Sequence, residues 1–98
     1  MEGGAVFALS AALKEQVRFS NGGVSSANYD DYPILTMNET PDIEVHIVKS
    51  DDKIGGVGEP GVPTVAPAVG NAIFDAVGVR IRRLPMTPTT VLEAIKSA

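Results

Sequence analysis

The sequence has no cysteine, no tryptophan and a single histidine, His46. The lack of cysteine excludes a disulfide framework, a thiolate zinc site, an iron–sulfur cluster bound by this chain and a cysteine nucleophile. One histidine excludes a multi-histidine metal site, and without a partner acid or base His46 is interpreted as structural. No apolar run approaches the roughly 20 residues of a membrane helix, so no membrane partner is expected.

Basic residues are also scarce. The chain has 8 Lys and Arg against 12 Asp and Glu, a net charge of −4, which argues against a nucleic-acid partner because such proteins need a basic face. Three bases are clustered, at Arg80, Arg82 and Arg83. They fit either a solvated or ion-paired strand edge or a contact with an anion or partner. We expect a soluble chain, of the cytoplasm or the periplasm, forming one domain over 1–98.

Three helices are predicted, over 3–14, over 64–77 and from Pro88. Gly78 is the expected C-cap of the second helix, and Pro67 fits only if it lies in the first turn. Thr87 is the expected N-cap of the third helix, with Pro88 at its first position. The first helix is apolar on nearly all sides, which predicts burial against another protein and self-association if the chain is isolated.

Strand signals are fewer. A hairpin of strands 16–20 and 24–27 is predicted around Asn21-Gly22-Gly23, since Asn-Gly favours tight hairpin turns. Alternating residues predict a further strand over 43–49 and a short one over 80–84. Asp30 and Asp31 are interpreted as solvated loop residues rather than a cation site. The predicted class is α+β: three helices with a hairpin and one or two further strands.

The loop over 55–61 has the sequence Gly-Gly-Val-Gly-Glu-Pro-Gly. Gly56, Gly58 and Gly61 match the dinucleotide-binding pattern G-x-G-x-x-G, so a dinucleotide-binding module is one alternative. Against it, Glu59 would place a negative charge beside the pyrophosphate, and no acid lies about 20 residues on to hold a ribose. Arg80, with its two neighbouring arginines, could instead contact a 2′-phosphate.

Glu59 is the candidate for chemistry in this loop. The small residues Gly58 and Gly61 leave space around its carboxylate, and Pro60 restricts its backbone to extended conformations. A carboxylate held in a glycine cleft at the start of a helix is a candidate general base. It could equally be an acid that interacts with the helix dipole.

Several segments resemble one family closely. They are Gly-Gly-Val-Gly-Glu-Pro-Gly-Val-Pro (55–63), Val-Ala-Pro-Ala-Val-Gly-Asn-Ala-Ile-Phe (65–74), Arg-Ile-Arg-Arg-Leu-Pro (80–85), the Glu-Gly-Gly helix at 2–13, and 28–47. Together they resemble the C-terminal portion of the large, molybdopterin-binding subunit of the molybdenum hydroxylases, the relatives of xanthine oxidase and aldehyde oxidoreductase. Within this family, the segments most resemble the bacterial isoquinoline 1-oxidoreductase or aldehyde dehydrogenase type.

This resemblance implies that the chain is a C-terminal subdomain of a larger cofactor-binding unit. Glu59 would be the catalytic base, and Gly56, Val57 and Gly58 would lie beside the cofactor. The implied cofactor is molybdopterin as the cytosine dinucleotide, carrying molybdenum, which takes no ligand from this chain and would be absent from it alone. The implied partners are the remainder of the large subunit, a small iron–sulfur subunit and an aldehyde or N-heterocycle substrate. The chain alone would be inactive, and the rival interpretation is a non-catalytic, self-associating interaction fragment.

Overall fold

A computed structural model describes residues 1–26, 28 and 32–97. Over these residues the elements are helix α1 Glu2–Leu13, strands β1 Phe19–Ser20 and β2 Gly23–Val24, a 3-10 helix Met37–Glu39, helix α2 Val62–Val77 and helix α3 Pro88–Ser97. The three helices and the antiparallel hairpin within the described part confirm the α+β class. Asp30 and Asp31 lie outside the described residues, as does Ala27 of the predicted hairpin.

Helices α1 and α2 pack against each other and form the centre of the fold. The buried positions are small, Ala8 and Ala12 on α1 and Gly70 on α2. Residues after α2 return to this pair, where Val79 and Met86 are buried and the Met86 amide donates to the Ala12 carbonyl at 2.7 Å. Small side chains allow the helices to approach closely, and this holds the start of α2 next to the start of α1.

Ser10 is a buried polar residue of α1. It is 6% exposed, and its hydroxyl accepts a hydrogen bond from the Leu35 amide at 3.0 Å. A buried hydroxyl needs such a partner because burial without one is costly. The only polar side chain between Gly4 and Lys14 therefore fixes the segment before the 3-10 helix against α1.

Charged contacts follow at the end of α1. Lys14 Nζ lies 2.8 Å from a carboxylate oxygen of Glu39, and the amide and hydroxyl of Thr36 also donate to that carboxylate. The hydrogen bond from Lys14, followed by those from Thr36, lowers the pKa of Glu39 to about 2. Nearby, the Tyr32 hydroxyl donates to Glu15 at 2.9 Å, and this hydrogen bond raises the pKa of Tyr32.

The hairpin forms where it was predicted but is shorter. Phe19 pairs with Val24 and Ser20 with Gly23, so the turn is Asn21-Gly22 and Gly23 belongs to a strand. The φ angles of Asn21 and Gly22 are 51° and 79°, the left-handed values that a two-residue hairpin turn of type I′ requires.

The helix ends agree with the capping residues. Gly78 ends α2 with a φ of 75°, and the Thr87 hydroxyl accepts from the Thr90 amide at 3.2 Å with Pro88 at the first position of α3. The start of α2 differs from the prediction, because the helix begins at Val62. Pro67 is therefore the sixth helical residue and not part of the first turn.

The further strands are not formed. The described residues contain only the β1–β2 pair, and both 43–49 and 80–84 lie outside any sheet. The side chains of Ile47 and Val48 are 76% and 86% exposed. A strand needs a neighbour for its backbone groups, and no strand of the described chain pairs with 43–49. The alternation was correctly recognised, but the inference that it produces a strand within this chain was wrong.

The chain is expanded for its size. Its accessible surface is 7910 Å², against about 5,300 Å² for a folded monomer of this mass. Its radius of gyration is 16.2 Å, whereas a compact domain of this length has about 13 Å. The core is correspondingly small. Within the described ranges, no helix combines the length and apolarity needed to cross a membrane.

Candidate functional site

The glycine-rich loop over 55–61 runs past the start of α1 and leads directly into α2. Every residue of the loop is exposed. Two backbone hydrogen bonds join it to the helix start, from the Val62 amide to the Glu59 carbonyl at 2.9 Å and from the Thr64 amide to the Gly61 carbonyl at 3.3 Å. The Thr64 hydroxyl also donates to the Gly61 carbonyl at 2.7 Å. These bonds anchor the second half of the loop, while 55–58 make no backbone hydrogen bond within the described residues.

The carboxylate of Glu59 makes no hydrogen bond or ion pair with any described residue. The N-cap of α2 is Gly61, and no side chain caps this helix. It is thus the carbonyl of Glu59, and not its carboxylate, that bonds to the helix start. The Glu59 carboxylate lies near the start of α2, where the helix dipole acts on it, but it does not cap the helix. Its oxygen atoms are therefore available to a bound molecule.

Glu59 lines a cleft between the loop and α1. The cleft has a volume of about 480 Å³, and its walls include Gly4 and Phe7 from α1, and Gly58, Val62 and Pro63 from the loop and the first turn of α2. The Phe7 side chain is 70% exposed. The site residue Glu59 therefore faces a largely apolar space with one aromatic wall.

The three predicted cofactor-binding residues line a second cleft. Gly56, Val57 and Gly58 lie here with Met1, Gly4, Ala5, Pro60 and Gly61, around a volume of about 340 Å³. Glu59 is not among its walls. The structure thus brings Gly58 and Glu59 together in one cleft and all three cofactor-binding candidates in the other, with Gly4 and Gly58 common to both.

The loop glycines have no structural cause within the chain. None of Gly55, Gly56, Gly58 and Gly61 has a positive φ, and a Cβ built on any of them meets no atom within 4 Å. Neither backbone conformation nor packing inside the described residues thus requires glycine here. The open space over this backbone fits a bound group that approaches it closely.

The dinucleotide alternative lacks its structural context. That motif requires a strand to end immediately before the first glycine and the helix to begin just after the loop. The helix is present, but the residues before Gly56 belong to no strand, and the described part of the chain has no parallel sheet. The pattern of Gly56, Gly58 and Gly61 is therefore only a formal match.

The three arginines differ from one another. The guanidinium of Arg80 donates to the Asn71 side chain at 2.8 Å and lies 4.3 Å from the centre of the Phe74 ring. Arg80 is thus held against α2 as a structural residue. Arg82 and Arg83 are exposed and line a cleft beside α2 together with Arg80.

Sequence reasoning missed Gly4 and Phe7 as residues of the site. Nothing in the spacing of Gly4 and Glu59, 55 residues apart, shows that they meet. One signal was present: a glycine within a helix costs about 1 kcal/mol relative to alanine, so adjacent glycines at a helix start call for a reason. Among the described residues, no group of three or more acids and histidines could hold a metal.

This chain is similar to segments of larger proteins, although no family model matches it. It is 41% identical over 96 residues to a membrane-bound aldehyde dehydrogenase [pyrroloquinoline-quinone] of Gluconacetobacter polyoxogenes, covering 98% of this chain and 12% of that protein. It is 41% identical over 88 residues to the isoquinoline 1-oxidoreductase subunit beta of Brevundimonas diminuta, covering 90% of this chain and 11% of that protein.

A third relative names a metal. The xanthine dehydrogenase molybdenum-binding subunit of Escherichia coli O157:H7 is 32% identical over 100 residues, covering 95% of this chain and 13% of that protein. The chain spans about a tenth of the length of these relatives. The names differ in cofactor, but all three proteins are oxidoreductases, and two are named as subunits. From these matches over nearly its whole length, the chain belongs to the molybdenum hydroxylase family.

Proposed function

We propose that this chain supplies the catalytic-base loop of a molybdopterin-dependent oxidoreductase that hydroxylates aldehydes or N-heterocycles. One observation carries the proposal: the exposed carboxylate of Glu59, without a partner in the described chain, lines a cleft beside a glycine loop. Nothing within the described residues accounts for the glycines of that loop. A group bound from outside accounts for both features.

The residues present fit a molybdopterin centre that brings its own metal ligands. The open backbone at Gly56 and Gly58 accepts a bulky group without a Cβ in the way. The described chain offers no metal-binding cluster, so Gly56, Val57 and Gly58 would hold the group by backbone contact. We propose the cytosine dinucleotide form of the cofactor, with the remainder of the large subunit and a small iron–sulfur subunit as partners.

When bound, the cofactor supplies the two-electron oxidation that no side chain can perform. The part of Glu59 is to accept a proton at a carboxylate oxygen from the oxygen that attacks the substrate carbon. Phe7 and Val62 give the cleft apolar walls, which favour a flat, weakly polar substrate. Aldehydes and N-heterocycles both present an electrophilic carbon that such an oxygen can attack.

Glu59→Gln tests this proposal in the assembled, molybdenum-loaded enzyme. The amide keeps the shape but cannot accept the proton, so we expect kcat to fall by about 10²–10⁴-fold with molybdenum content unchanged. Glu93→Gln is the matched control, because Glu93 is an exposed acid on α3, away from both clefts. If Glu59 only interacts with the helix dipole, its replacement costs about 0.3–1 kcal/mol of stability and little rate.

The cofactor is tested separately, because one relative is named for pyrroloquinoline quinone. We expect elemental analysis of the assembled enzyme to find molybdenum and its absorption spectrum to lack a quinone. The 98-residue chain alone is proposed to be inactive, since it spans only about a tenth of the length of the relatives it matches. Stoichiometric molybdenum and aldehyde turnover by the isolated chain would contradict this.

A second candidate function is that of a self-associating interaction fragment. The surface exceeds that of a compact monomer by roughly 2,600 Å², an area in the range of obligate interfaces. Exposed apolar side chains such as Phe7, Met37 and Val48 are part of it. Gel filtration and an activity assay distinguish the two candidates. Concentration-dependent dimers of the chain, with no activity after addition of the remainder of the large subunit, would favour this second function.

A further inference from the structure

The start of α1 meets the glycine loop at one point, between Gly4 and Gly58. A Cβ built on Gly4 would lie 2.5 Å from the Gly58 carbonyl oxygen, 3.7 Å from its carbonyl carbon and 3.9 Å from Val62 Cγ2. Gly3, the preceding residue of the same helical turn, has no atom within 4 Å of its built Cβ. The two adjacent glycines therefore have very different surroundings.

Alanine at position 4 requires a backbone displacement. The atom in the way belongs to the Gly58 main chain, so no side-chain rotation relieves the contact. On the other side, α1 is held by the Met86–Ala12 backbone bond, the Leu35–Ser10 bond and its packing on α2. The 55–58 backbone has no hydrogen bond within the described residues. The loop is thus the weaker partner, and it is the loop that moves.

Displacing Gly58 affects its neighbour directly. Glu59 follows Gly58 in the chain, and its own carbonyl is tied to the Val62 amide at 2.9 Å. Movement at Gly58 with Val62 fixed changes the direction of the Glu59 side chain. Gly4 and Gly58 also line both clefts, so the contact between them sets the distance from α1 to the loop in each.

We propose that Gly4 is a positioning residue for Glu59. The missing side chain of Gly4 lets the Gly58 carbonyl lie against α1, and this contact orients the carboxylate in its cleft. This inference rests on the proposed function of Glu59 as a base. It adds a residue from a distant part of the sequence that acts on the reaction only through the backbone of the loop.

The matched pair Gly4→Ala and Gly3→Ala tests the proposal. Gly3 also lines the Glu59 cleft, so both changes add the same methyl group to that wall in the first turn of α1. Both raise helix propensity, but only the first meets Gly58. In the assembled, molybdenum-loaded enzyme, we expect kcat of Gly4→Ala to be about 10²-fold below that of Gly3→Ala, the effect of a misplacement near 1 Å. Molybdenum content and KM should be alike in both, because positioning of the base affects the chemical step.

A structural measurement on the 98-residue chain accompanies the kinetics. In ¹⁵N NMR spectra, Gly4→Ala should shift the Gly58 and Glu59 amide signals while Gly3→Ala leaves them in place. The Met86 amide reports whether α1 keeps its packing, and it should be unchanged in both variants. Disturbance of Met86 by Gly4→Ala would show that the helix yields and not the loop, and this would overturn the proposal.

The remaining outcomes are equally decisive. Equal kcat for the two variants, or a loss of molybdenum specific to Gly4→Ala, would overturn positioning of Glu59 by Gly4. Full turnover by Glu59→Gln would instead overturn the proposed function itself, and the contact between Gly4 and the loop would still be decided by the NMR signals. A drop in kcat with shifted Gly58 and Glu59 signals, specific to Gly4→Ala, supports the proposal.

Discussion

The α1–α2 pair and the segment over 41–54 both carry apolar side chains but bury them to different extents in this chain. The helices bury small residues against each other, and their termini are fixed by Gly78, Ser10 and backbone bonds. The 41–54 segment carries Val45, Ile47 and Ile54 but pairs with no strand of the described chain, and Ile54 is fully exposed. A helix satisfies its own backbone, whereas a strand depends on a partner for its hydrogen bonds.

Amide hydrogen exchange over 43–49 tests this difference in backbone hydrogen bonding. We expect these amides to exchange almost unprotected in the isolated chain and to be protected by orders of magnitude in the assembled enzyme, where a neighbouring strand satisfies them. The amides of Ala8 and Ala12 serve as the internal reference, protected in both states. Protection of 43–49 in a monomeric isolated chain would contradict the contrast.

The packing of α1 can be weakened at the buried hydroxyl of Ser10. Ser10→Ala removes the acceptor of the Leu35 amide in a partly buried position, and we expect a loss of about 1–3 kcal/mol in the free energy of unfolding. Ser97→Ala is the control, because the Ser97 hydroxyl donates to the Glu93 carbonyl at the exposed end of α3. Urea titrations followed by circular dichroism measure both. Equal losses would show that burial of Ser10 has no special weight.

The smallest expected effect concerns the Lys14–Glu39 contact. Because the pKa of Glu39 is lowered to about 2 in the folded chain, its contribution to stability is present above its ordinary value near 4.5 and is lost as the pH falls towards 2. Carboxyl chemical shifts of Glu39 should follow this titration. Lys14→Met should return the pKa towards its ordinary value, while Lys96→Met, at the end of α3, should leave it unchanged.

The parts of the fold predicted from sequence are those with local causes. Asn21-Gly22 determines its turn through left-handed φ angles, Gly78 ends α2 for the same reason, and Thr87 caps α3 with Pro88 behind it. The strand over 43–49 was predicted from alternation, a property of the residues themselves, but its formation depends on a chain segment that must lie beside it. Pattern alone does not contain that information.

The candidate site divides along the same line. The sequence indicated Glu59 and its glycine loop, because Gly58 and Gly61 leave open space around that carboxylate. It did not indicate Gly4 or Phe7, which reach the cleft through packing of α1 on α2. These contacts depend on how the helices pack, and the sequence separation between the residues does not reveal them.

Pro67 in the second turn of α2 has a mechanical consequence for the loop that precedes this helix. Proline has no amide hydrogen, so the bond from residue 67 to the Pro63 carbonyl cannot form, and one link between the first and second turns is missing. The first turn of α2, which follows Glu59, is therefore joined to the rest of the helix by one hydrogen bond fewer, and the helix bends more easily there. A displacement of the glycine loop should therefore be absorbed near Pro67, and the positions of Gly78 and Arg80 should not change.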